Sequence, residues 1–170
     1  MPHDSMPTLE SRLRQMASEE QRRTATELAS LVLPLAELGS LGLPPGGLGP
    51  IADAIRARTS IPSVDEARHA LLTMPEMSWD EEPEGLTWYA FGASVAWVYA
   101  ADANTTSASD GVVHTFNRVS ELLDAIDDDL GNTQLMNQLL LVMNGMGRTT
   151  ESWATLSRGV REAVDRLRSR

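Results

Sequence analysis

An all-α fold, a single helical bundle of about six to eight helices, follows from three features of the sequence. Apolar residues recur at helical spacing along most of the chain. Period-two alternation is nearly absent, so no sheet is expected. Glycine and proline cluster in a few places and punctuate the helical stretches. The 170 residues suit one domain, residues 1–170, with 42% apolar and 22% charged side chains.

Residues 1–7 are expected to be a loose tail. They lack the basic start and apolar run of a secretory signal. Thr8 is a fitting N-cap for a first helix carrying Leu9, Leu13 and Met16. Ser18 can cap a second, with Leu28, Leu31, Val32 and Leu35 on one stripe. Pro34 lacks the amide proton that a helix interior needs, so the helix kinks or ends there.

Residues 39–50 read GSLGLPPGGLGP, which cannot be helical. Leu41, Leu43 and Leu48 are expected to pin this loop onto the core. A short helix follows from Ile51, with Pro50 at its start. Ser63 and Glu66 have capping-box spacing for the next helix, which ends by Pro75.

Residues 86–103 are apolar nearly all round, including Trp88, Tyr89, Phe91, Val95, Trp97, Val98 and Tyr99. Such a helix belongs at the centre of a bundle. Asn104 to Ser109 reads as a turn. Residues 110–130 carry a clean buried stripe of Val112, Phe116, Val119, Leu123, Ile126 and Leu130. The two helices should form an antiparallel hairpin. Gly131-Asn132 stops the second of them. Residues 135–146 form a short apolar helix. Thr150 caps a last one whose arginines 166, 168 and 170 suit its carboxyl end.

Charge and composition narrow the function classes. The net charge of −10 repels nucleic-acid phosphate, so no nucleic-acid partner is expected. No apolar run is long enough to span a bilayer, so no membrane partner is expected either. With no cysteine, disulfides, thiolate metal sites and thiol nucleophiles are excluded. A cytoplasmic protein is the expectation. The charge is uneven: −1 over residues 1–60, −12 over 61–130 and +3 over 131–170. Either the arginine-bearing last helix neutralises the acidic middle, or an external partner does.

Histidine offers little for a metal. His3, His69 and His114 have no second histidine at ligand spacing, although His69 lies one turn from Asp65 and Glu66. The acidic run Glu121, Asp124, Asp127, Asp128, Asp129 is more enzyme-like. Carboxylates three or four apart share a helix face, and such faces hold Mg²⁺ in all-α enzymes acting on diphosphates. The run resembles half of the E-x-x-D pattern of the helical nucleotide pyrophosphohydrolases. That resemblance implies a metal-dependent phosphohydrolase using Glu121, Asp124 and Asp128 with Mg²⁺. Those enzymes also have an E-E-x-x-E helix, and here Glu19-Glu20 is followed by Gln, Arg and Arg.

The other reading needs no cofactor and is a binding module. An acidic interface of Trp79, Asp80, Glu81, Glu82, Glu84, Asp124, Asp127 and Asp128 would engage a basic protein, with Trp79 as anchor. In size, acidity and helical content the chain resembles the small immunity proteins that neutralise bacterial toxins. The resemblance implies an inhibitor of a basic partner and carries no family residue with it. A structural or regulatory homodimer through an exposed apolar strip at 135–146 is the remaining alternative.

Overall fold

The computed structural model of the protein describes residues 6–57, 61–78, 82–131, 134–144 and 150–170. Among the described residues lie eight α-helices and no strand. They are α1 (Met6–Gln15), α2 (Ser18–Leu31), α3 (Leu48–Ala57), α4 (Ile61–Leu72), α5 (Leu86–Thr105), α6 (Ala108–Leu130), α7 (Gln134–Met143) and α8 (Thr150–Arg168). The chain is an all-α helical bundle.

The axis of the bundle is α5, with fourteen of its twenty residues buried. Its all-round apolar character makes this possible, since no face needs water. It packs against α6, α4, α2, α3 and the 3-10 turn Leu33–Leu38. One hydrophobic cluster draws side chains from all eight helices, from Leu9 and Leu13 of α1 to Leu156, Val160 and Leu167 of α8.

The hairpin of α5 and α6 is tighter than its sequence suggests. Only Thr106 and Ser107 separate the helices. The amides of both donate to the Asp102 carbonyl, at 2.8 and 3.0 Å. Ser107 is the N-cap of α6, its hydroxyl accepting the Asp110 amide at 3.2 Å. Gly111 lets the two backbones meet: a Cβ there would lie 2.4 Å from the Ala103 nitrogen. At its other end α6 stops at Gly131, whose φ of 71° is left-handed and favours glycine.

Several boundaries differ from the sequence expectation, for local reasons. Residues 1–5 of the expected tail lie outside the described residues, and Met6 and Pro7 belong to α1. A proline is tolerated in a first turn, where its missing N–H has no helical partner to lose. The same tolerance starts α3 at Leu48, ahead of Pro50, and α4 at Ile61, ahead of Pro62. Ser63 therefore lies inside α4 and is not its cap. Ser18 is likewise the first helical residue of α2, whose N-cap is Ala17. Pro34 does end the helix before it, in the 3-10 turn.

The Gly/Pro-rich loop is pinned through two of its three leucines. Leu48, the first residue of α3, is buried, and Leu43 packs on the core, whereas Leu41 is only partly covered and is not among the core side chains. The Gly42 amide adds a polar tie, donating to the buried Glu76 carboxylate at 2.8 Å. The expected apolar strip at 135–146 is mostly turned inward. Leu135, Leu139, Val142 and Met143 are buried, which leaves Leu141 exposed. Residues 145 and 146 lie outside the described residues. No helix of the described residues is long and apolar enough to cross a membrane.

Candidate functional site: an acidic cleft beside Trp88

The acidic residues of the middle segment meet different fates. Asp110 forms a salt bridge with Arg14 of α1 at 2.9 Å, and Asp102 pairs with Arg68 of α4. The arginine hydrogen bond holds the Asp110 carboxyl below the usual carboxylate range. The last helix contributes less than its charge suggested. Arg168 pairs with Glu37 at 3.0 Å, outside the acidic middle. Arg170 reaches the middle segment, donating to the Asp129 carbonyl at 3.0 Å.

Asp127 corrects the sequence reading most plainly. It was expected on an acidic surface, yet it is 3% exposed. Its two carboxylate oxygens accept the amides of Leu135 and Met136, at 3.1 and 2.9 Å. An acid near the carboxyl end of α6 opposes that helix's dipole, but here it serves the amino end of α7, where negative charge is favoured. The sequence did hold a signal. Asp127 lies eleven positions after Phe116, about three helical turns, which places it on the buried stripe.

Glu121, Asp124 and Asp128 face outward and are exposed. Asp124 and Asp128 form no salt bridge with any described residue. They border a cleft of about 520 Å³ whose other wall includes Trp88, Met136 and Asn137. A second cleft, about 680 Å³, adjoins it across Trp88 and Ala125. Glu84, Leu86, Tyr89, Asp129, Leu167 and Arg170 line the second. The two clefts bring Glu84 into one region with Asp124 and Asp128. Glu82 joins it through Trp88, whose indole N–H donates to the Glu82 carboxylate at 2.7 Å. Trp79, Asp80 and Glu81 lie outside the described residues.

Trp88 sits half-buried in the first turn of α5, ahead of the fully enclosed part of that helix. Its ring meets Tyr89 edge-on, with centroids 5.3 Å apart. The Tyr89 hydroxyl donates to the Asp129 carboxylate. Beneath the acids lies Arg118, mostly buried, 3.8 Å from Glu82 and 3.9 Å from Glu121. Trp88 and Tyr89 do pack on the core, as their helix predicts, and both also line the second cleft. The available signal was their place at a helix start beside an acidic loop, where a first turn projects from the bundle.

Among the described residues no group of three or more histidine or carboxylate side chains could hold a metal ion. His69, Asp65 and Glu66 are all exposed on α4. His114 instead packs against the Tyr99 ring, with centroids 5.2 Å apart.

The Tyr89 contact has a pH signature. Burial first, then the hydrogen bond to Asp129, holds the phenol well above the ordinary tyrosine value of 10.0. A raised folded-state value means that the fold prefers the neutral phenol. The stabilisation is complete below about pH 10 and is lost as pH rises above it. The chain has no lysine and no cysteine, and its arginines keep their charge, so few other groups titrate in that window. Urea midpoints measured from about pH 9 to 11.5 should fall for the native chain. For Tyr89→Phe the decline should be clearly shallower.

No protein-family model, curated protein or solved structure matches this chain.

Proposed function

We propose that the chain is a protein-binding module of inhibitor or immunity type, engaging a basic protein partner through the cleft beside Trp88. The observation that carries this reading is the pairing of Asp124 and Asp128, without salt bridges among the described residues, with the half-buried Trp88 across one cleft. Carboxylates of one sign, without salt bridges among the described residues, concentrate the field of a chain whose net charge is already −10. They steer a basic surface into place, and an aromatic wall supplies apolar area once it has docked. Elsewhere on α6, Asp110, Glu121, Asp127 and Asp129 have partners among the described residues, which sets Asp124 and Asp128 apart on that helix.

The test is capture of a partner from the native cell, its identification, and titration of that purified partner. Asp124→Asn combined with Asp128→Asn should weaken binding about tenfold or more, and raising salt should weaken the native complex further. Unchanged affinity of the identified partner for the double variant would overturn the reading.

A further inference from the structure

The second cleft already has a guanidinium at its rim, and it is the chain's own. Arg170, just past α8, donates through Nη1 to the Asp129 carbonyl at 3.0 Å. Its charge lies close enough to the Tyr89 hydroxyl to oppose the upward shift of that phenol. The cleft around it offers what an arginine head uses. The half-buried Trp88 presents the aromatic surface, and the buried Tyr89 ring backs it edge-on at 5.3 Å. Glu84 and Asp129 supply negative charge on the rim, while Pro83 and the exposed Leu86 give an apolar bed for the aliphatic stem.

We infer that this cleft is an arginine-receiving subsite, and that Arg170 is an internal competitor which an arginine side chain of the basic partner displaces. The inference rests on the reading of the chain as a binder of a basic protein. It adds the residue type recognised and a built-in brake on recognition. Arginine is favoured over lysine on physical grounds. A guanidinium is planar, weakly hydrated and stacks on aromatic faces, whereas an ammonium is compact and strongly hydrated. Arg170 is exposed, and among the described residues its side chain holds the site by one hydrogen bond at the rim. It can leave without unpacking the core, where Leu167 remains buried.

The probes are two short peptides of equal length and charge, one with arginine as its only cation and one with lysine, titrated calorimetrically into the full chain. The arginine peptide should bind about five- to tenfold more tightly. Arg170→Ala should tighten the arginine peptide about threefold or more by removing the competitor. Arg170→Gln, which keeps most of the side-chain bulk, should do the same. Glu84→Gln and Trp88→Phe should each weaken the arginine peptide more than the lysine peptide.

Asp124→Asn with Asp128→Asn tests the underlying reading separately, because it should weaken both peptides alike. Equal affinity for the two peptides, with no tightening in either Arg170 variant, overturns the subsite and leaves the acidic-cleft reading standing. Failure of both peptides to bind overturns the subsite, and the affinity of the identified partner for the Asp124/Asp128 double variant then decides the underlying reading by itself.

Discussion

Gly111→Ala should destabilise the protein by about 2–3 kcal/mol, although alanine is the better helix former. In an open helix position the same change would gain up to about 1 kcal/mol. Here the added Cβ would stand 2.4 Å from the Ala103 nitrogen and 2.5 Å from its Cα. Both are backbone atoms of α5, so no side-chain rotation relieves the overlap. Ordinary contact begins at 3.4 Å, and the helices would have to part by about 1 Å at the tightest point of their hairpin. Neither helix is free to move. Thr106 and Ser107 tie the turn to Asp102, and most of α5 is enclosed.

Gly159→Ala is the matched control. A Cβ at that position of α8 would meet the Leu135 Cδ2 atom at 3.1 Å and the Gln138 Oε1 atom at 3.5 Å, both ends of side chains that can turn aside. Its effect should stay within about 1 kcal/mol of zero, in either direction. Urea midpoints of the two variants check the pair. Equal midpoints would show that the hairpin is not held by backbone approach at Gly111.

How much could be read in advance follows from what periodicity reports. It reports burial of faces, so α5 and the stripe of α6 stood out: one is apolar all round, and the other repeats Val112, Phe116, Val119, Leu123 and Ile126. Periodicity is silent on where a helix begins when a proline sits in its first turn. That is why α1, α3 and α4 start earlier than expected. It is equally silent on pairing between helices remote in sequence. Arg14 with Asp110 and Arg168 with Glu37 depend on which helices are neighbours, and only the folded chain decides that. The cleft shows the same division. The exposure of Asp124 and Asp128 was legible from their angle to Phe116. The placement of Trp88, Tyr89 and Arg170 around a shared cavity needed the meeting of α5, α6 and α8.

Asp127→Ala should cost about 3 kcal/mol, more than any other acid of the 121–129 run. Two effects add. The substitution removes two charge-assisted hydrogen bonds from a buried carboxylate, and it leaves the Leu135 and Met136 amides at the start of α7 without their acceptor. It also withdraws the negative charge that the amino end of α7 attracts. Asp127→Asn should cost roughly half as much, since the amide keeps one accepting oxygen and turns a donor toward the second N–H. Asp128→Ala, next in the chain but exposed, should lie within about 0.5 kcal/mol of native stability. Urea unfolding of the three variants followed by circular dichroism reads this order. The comparison also separates the two uses of acid on one helix. If Asp127 and Asp128 prove equivalent in stability, the capping of α7 is not what holds the corner. If only Asp127 matters for stability, then Asp128 carries its charge at little structural cost, and that charge is free to act outward.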